Sequence, residues 1–315
     1  MKDFRNIIFV LIILLFALQM LVTKQDAPKA STASEIKPII SLSTFSLYDI
    51  AKHLVGDSVE LVMILPFGVD AHSFEPTPKL MAKIQKSALV VYSGAGLEPW
   101  IDGFDFKSDV INMSKHVKLK ELESKGHKHH EHHGESCSHS GVDPHYWLDI
   151  QNMVKSTNII KDALIKISPN LKELYENNAQ KYITMLKLLD SEYKNELDEC
   201  KLDTIIVNHN AFSYLSHNYG FHVEALSGLS PEAQPSAKQM IKLTQHVKEH
   251  NIKTIFFESF VSDKAIKSIA SEAKVNVDVL QPLGNITADE AKKKLTYEDI
   301  MRKNLEKISK ALECK

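Results

Sequence analysis

The chain has 315 residues, 43% of them apolar and 25% charged, with a formal charge of -2. That is ordinary globular material, enough for two modest domains. The near-neutral balance argues against a nucleic-acid partner, which would require a basic face. At the N-terminus Lys2 and Arg5 precede an apolar run over 7–18 and a polar run over 23–34. That is the order of a secretory signal peptide, expected over residues 1–26. Extended to Val22, the apolar stretch is short for a spanning helix, and an uncleaved membrane anchor is the alternative. No Cys follows the run, which speaks against lipid attachment there. Export implies a periplasmic setting, where cysteines can oxidise. Cys200 and Cys314 could then form a disulfide, and Cys137 could act as a soft metal ligand.

Strands are expected over 39–42, 59–64, 88–92 and 110–113, and again over 204–207, 221–225, 254–257 and 275–280. Most are continuously apolar rather than alternating, the pattern of strands covered on both faces of a parallel sheet. Helical patterns lie between several of them, over 78–86, 237–250 and 263–272. Between the two sets of four strands, 149–199 carries no strand signal and reads as two helices broken at Ser168-Pro169-Asn170. The second, over about 170–199, carries a 3.6-period stripe from Leu171 to Leu197. At ~1.5 Å per residue it would span ~45 Å, enough to run along two lobes. The expected fold class is α/β: two lobes, each with a four-stranded parallel sheet and flanking helices, joined by one long rigid helix. The expected domains are an N-terminal lobe over 36–168, the linking helix over 169–199 and a C-terminal lobe over 200–315.

One segment stands apart from this pattern. Residues 124–141 hold His127, His129, His130, His132, His133 and His139 among Gly, Ser, Lys and Glu. Such a composition cannot build a core but can hold metal weakly at many points. Three further histidines follow apolar strands: His72 in GVDAHSFEP, His145 in DPHYWLD and His209 in VNHNAF. Ligands of open α/β sheets bind beyond the carboxyl ends of strands, so these three rings could meet in a cleft. Their spacing has neither the short repeat of a zinc finger nor that of HExxH. Glu258, in IFFESF, could face the same cleft as a fourth ligand or as an acceptor behind one. Gly94-Ala95-Gly96 reads as a turn, and Trp100 and Trp147 as packing residues.

The segments GVDAHSFEPTPK, VVYSGAGLEPW, DPHYWLD, VNHNAFSYLSHNYG, GLSPEAQPSAKQ and LQPLGNIT resemble, in order, the periplasmic solute-binding proteins of zinc-uptake ABC transporters, the ZnuA type. The resemblance runs from about Ile36 to the C-terminus. It implies two α/β lobes linked by a long helix, with Zn2+ held between them by His72, His145 and His209. It implies delivery to a membrane permease, no catalysis and no need for an oligomer. Many relatives carry an Asp where this chain has Gln281, and some a Glu where it has Ala71, so the resemblance leaves the fourth ligand open between water, Glu258 and the His-rich loop. Three imidazoles favour zinc over manganese, which prefers harder oxygen ligands. The alternatives are a manganese or nickel binder of the same class, an exported zinc hydrolase, or a periplasmic zinc buffer with no transporter.

Overall fold

The computed structural model describes residues 37–122, 141–226, 237–249, 252–258 and 264–315. The expected signal segment and the six histidines of the 124–141 stretch lie outside these residues.

The first lobe is built from β1 (Ile39–Leu42), α1 (Phe45–Val55), β2 (Glu60–Met63), α2 (Pro78–Ile84), β3 (Leu89–Tyr92) and β4 (Asp109–Asn112). All pairings are parallel, in the order β2-β1-β3-β4. The second lobe contains β7 (Thr204–Val207), α5 (Ser213–Tyr219), β8 (His222–Ala225), α6 (Ala237–Glu249), β9 (Thr254–Phe257), α7 (Lys264–Ala273) and β10 (Asn276–Val279). Its order is β10-β9-β7-β8, again all parallel. Counted from the first strand of each lobe, both sheets wind 2-1-3-4, so each has a switch point between its first and third strands. The central strands β1, β3, β7 and β9 have β-branched and aliphatic residues because both their faces are covered, whereas the edge strands are more exposed. In β7, Ile205, Ile206 and Val207 are all buried. Ile205 and Val207 join the main core, whereas Ile206 packs outward with Val247, Ile255 and Ile269.

Between the lobes run α3 (Ile150–Ile167) and α4 (Lys172–Glu196). Pro169 opens a single 3-10 turn over Pro169–Leu171 rather than the first turn of the second helix, so that helix is shorter than its apolar stripe suggests. Its 25 residues span ~38 Å. The two halves of α4 serve different lobes. Tyr175 hydrogen-bonds Ser58 at 2.9 Å, Asn178 donates to the Leu54 carbonyl at 2.9 Å, and Tyr182 donates to Asp49 at 2.9 Å. Further along, Asp190 accepts from Tyr219 at 2.9 Å and Tyr193 donates to the Met301 carbonyl at 2.6 Å. Glu196 accepts from Ser309 at 2.8 Å. The chain closes with α8 (Ala288–Lys292) and α9 (Tyr297–Leu312), each begun by a Thr capping box, at Thr287 with Glu290 and at Thr296 with Asp299.

Two features were not expected from the sequence. A short antiparallel ladder pairs β5 (Lys120–Glu121) with β6 (Val142–Asp143), bracketing the His-rich stretch. The segment after β10 crosses to the first lobe, where the Phe45 N–H donates to the Gly284 carbonyl at 2.9 Å and the Gly68 N–H to that of Ile286 at 2.9 Å. Asn285 Nδ2 donates to the carbonyls of Pro66 and Val69 at 2.5 and 2.8 Å, and Trp147 Nε1 to that of Pro282 at 2.7 Å. Cys200 and Cys314 are joined as a disulfide. Among the described residues, no helix is long and apolar enough to cross a membrane.

Candidate metal centre

His209 follows β7, and Glu258 follows β9, so both stand at the switch point of the second sheet. His145 follows β6, and His72 lies in the loop after β2. The structure brings the three rings together. The His145 centroid lies 5.5 Å from that of His72 and 5.3 Å from that of His209. All three line a small pocket of about 20 Å³ with Asp70, Leu97, Trp147, Glu258 and Asn285. His145 and His209 are each 2% exposed.

Their hydrogen bonds determine which nitrogens face the pocket. His145 Nδ1 lies 2.8 Å from Asp143 Oδ1, and His209 Nδ1 contacts Glu258 Oε1. A carboxylate only accepts, so the His145 Nδ1 carries the proton and its Nε2 presents a lone pair. The two Nε2 atoms lie 3.4 Å apart. That separation suits either a direct N–H···N hydrogen bond or one cation shared by the two rings. The buried carboxylates of Asp143 and Glu258, each 1% exposed, add negative charge beneath the rings. Burial works to raise the Asp143 carboxyl, but the His145 ring and the hydrogen bonds from His145 and Ser213 hold it below its ordinary value.

Glu258 lines the pocket and lies against His209 Nδ1. Gln281 does not line the pocket; its Nε2 donates to Glu290 at 3.0 Å, where Glu290 also caps α8. Ala71 lines the pocket without offering a donor. Trp147 is 1% exposed and packs edge-on against His145 at 5.4 Å between centroids. The Gly94-Ala95-Gly96 turn is held by Glu98, which accepts from the N–H groups of Ser93 and Gly94 at 2.8 Å each and from Ser43 at 2.5 Å. Burial pushes the Glu98 carboxyl up, against those bonds. The turn delivers Leu97 to the pocket wall. Sequence reasoning missed Asp143 and Asn285. The first was legible as an acidic residue two positions before a strand-end His; Asn285 had no comparable signal.

Two equivalent sheets with converging strand ends and a small, mainly apolar pocket into which imidazoles converge define a two-lobed α/β solute-binding protein. The profile of the family described as zinc-uptake complex component A, periplasmic, matches residues 40–311, and the chain belongs to that family. It is 33% identical over 293 residues to the high-affinity zinc uptake system protein ZnuA of Bacillus subtilis, covering 91% of this chain and 92% of that protein. It is 34% identical over 269 residues to the zinc-binding lipoprotein AdcA of Streptococcus pneumoniae, covering 84% of this chain but only 54% of AdcA. Among solved structures, the Zn(II)-bound ZnuA-like domain of S. pneumoniae AdcA aligns with a TM-score of 0.74 at 31% identity, over 88% of this chain and 99% of that one. The laminin-binding protein Lmb of Streptococcus agalactiae, described as an adhesin with metal-transporting activity, aligns at 0.76 and 29% identity, over 87% and 99%.

Proposed function

We propose that this chain captures Zn2+ outside the cytoplasm, in the cleft between its lobes, and delivers it to the permease of an ABC importer. The ligands are His72, His145 and His209. The observation that carries this reading is the 3.4 Å between the Nε2 atoms of His145 and His209. Two nitrogens bound about 2.05 Å from one tetrahedral zinc stand about 3.3 to 3.4 Å apart. Each of these rings has its other nitrogen on a carboxylate, the arrangement that fixes and strengthens a zinc-binding imidazole. Two buried carboxylates under neutral rings also favour a dication over a monovalent ion.

A binding role fits better than a catalytic one. A zinc hydrolase needs a base beside the metal-bound water. Asp143 and Glu258 each lie against a histidine Nδ1, and Glu75 is exposed and outside the pocket wall, so Asp70, on that wall, is the base such a hydrolase would have to use. The six histidines from His127 to His139 act in this reading as a weak collector that raises local zinc concentration near the cleft. The lobes fall over 36–168 and 200–315, with 169–199 linking them, and the N-terminal 26 residues direct export.

Titration calorimetry with zinc, manganese and nickel, and metal analysis of the purified protein, test the reading. The expected result is one tight zinc per chain, lost in His145→Ala and His209→Ala and retained when 124–141 is deleted. Loss of the tight site in that deletion, or stronger retention of manganese or nickel, would overturn it.

A further inference from the structure

Asp143 does more than hold one ring. Its Oδ1 accepts from the His145 N–H at 2.9 Å and from His145 Nδ1 at 2.8 Å. Its Oδ2 accepts from the Ser213 hydroxyl, and its main-chain oxygen accepts from the Tyr214 hydroxyl at 2.8 Å. Ser213 and Tyr214 open α5, in the second lobe. The strand partner of Asp143 is Lys120, and it grips the same turn. The Lys120 N–H donates to Tyr214 Oη at 2.9 Å, and its ammonium donates to the Ser213 carbonyl at 2.7 Å.

The connectivity closes a ring. His145 lies two residues after Asp143, and His209 lies four residues before Ser213. The Asp143–Ser213 contact spans the two segments that carry the facing Nε2 atoms. Glu258, the other carboxylate, stands behind His209 and belongs to the same lobe as that ring.

We propose that Asp143 is a positioning residue shared by both lobes, fixing His145 against His209 through Ser213 and so slowing release of the bound ion. The proposal rests on the assignment of His145 and His209 as zinc ligands. With Asp143 intact, the two nitrogens are held at the separation one zinc ion would span. With the Ser213 link removed, the His145 segment keeps its carboxylate but loses its anchor on the other lobe.

The test uses the full chain and zinc alone. Zinc release into excess chelator is followed by stopped flow, affinity by competition, and site geometry by the visible spectrum of the Co2+ form. Asp143→Asn preserves shape and removes charge. It should weaken zinc binding about 10- to 100-fold, the range found when a carboxylate behind a ligating His is removed. Ser213→Ala leaves the Asp143–His145 pair whole, and should speed release about 10-fold and broaden the Co2+ spectrum, with Ser213→Thr restoring both. Wild type and His209→Ala are measured alongside. A wild type with no tight, His209-dependent zinc would defeat the ligand assignment itself. If that zinc is present but Ser213→Ala releases it at the wild-type rate, Asp143 orients one ring only and the shared role fails. Variants that lose folding cooperativity on urea denaturation while the folded fraction keeps wild-type release rates would equally overturn it.

Discussion

Replacing both cysteines of the Cys200–Cys314 pair by Ser should cost the metal-free protein substantial stability while leaving its zinc site intact. The pair closes a loop of 114 residues that contains the whole second sheet. On the chain-entropy account, cross-linking a loop of this length removes about 16 cal/mol/K from the unfolded ensemble, or about 5 kcal/mol at 25 °C. Measured effects typically reach 2 to 4 kcal/mol. The native state has its own reasons to keep these ends together. The Leu202 N–H donates to the Leu312 carbonyl at 2.9 Å and the Lys315 N–H to that of Glu199 at 3.1 Å. The double variant should therefore keep its fold and lose stability through the unfolded state. Urea midpoints after chelator treatment would fall, and Tm would drop by about 5 °C, at about 1.5 °C per kcal/mol for an unfolding entropy of about 2.1 cal/mol/K per residue. Thiol titration of the unreduced, denatured wild type should find one reactive thiol, Cys137, of the three cysteines. An unchanged urea midpoint in the double variant would refute the reasoning, as would three reactive thiols in the wild type.

Two other perturbations follow from local geometry. Gly94 has φ +79°, and a Cβ there would lie 2.0 Å from Asn112 Oδ1, so Gly94→Ala combines left-handed strain with a clash. About 2 to 5 kcal/mol of lost stability is expected, read by thermal unfolding; a loss below about 0.5 kcal/mol would mean the turn has room it does not show. His53 sits over Asp49; burial lowers its basicity, but the Asp49 hydrogen bond and charge raise it further, for a net upward shift. A raised imidazole stabilises the fold fully below its unfolded value of about 6.5 and ceases to do so as pH rises through the folded value. The side chain is 35% exposed, so screening keeps the effect well under 1 kcal/mol. Comparing urea midpoints of wild type and His53→Gln at pH 6 and pH 8 should show a shallower fall for the variant, and parallel slopes would reject the assignment.

Much of the architecture is visible in residue patterns because burial writes it there. A strand covered on both faces has no polar side to alternate with, so Thr204–Val207 reads as a strand from four consecutive β-branched residues. The stripe on Lys172–Glu196 is legible because Tyr175, Ala179, Tyr182, Leu186, Leu189 and Tyr193 must all meet the core. The β5–β6 ladder is not legible. Two residues per strand carry no period, and the pairing of Lys120 with Asp143 is set by tertiary docking onto Tyr214. The strand-end position of His72, His145 and His209 singles them out, but their mutual distances belong to the fold. Glu258 has two readings in the sequence, ligand or acceptor behind a ligand, and its place both on the pocket wall and against His209 Nδ1 suits either. Gln281 is settled by Glu290, nine residues on, whose capping carboxylate holds its amide. Asp143 has no stated role until Ser213, 70 residues later, is beside it.

The segment after β10 bears on how an ion gets out. Five hydrogen bonds tie it to the first lobe: Phe45 to Gly284, Gly68 to Ile286, Trp147 to Pro282, and Asn285 to Pro66 and to Val69. At a net worth of about 1 kcal/mol each, these five alone oppose rigid-body opening by about 5 kcal/mol, with the Lys120 and Asp143 bonds to Ser213 and Tyr214 in addition. Such a gap leaves the gaping form at about one molecule in several thousand. Traffic through the pocket then depends on yielding of individual ligand-bearing loops, and small-angle scattering of loaded and metal-free protein should superimpose. On the proposed function, a permease that accepts the ion would have to loosen one of those loops rather than wait for the molecule to yawn.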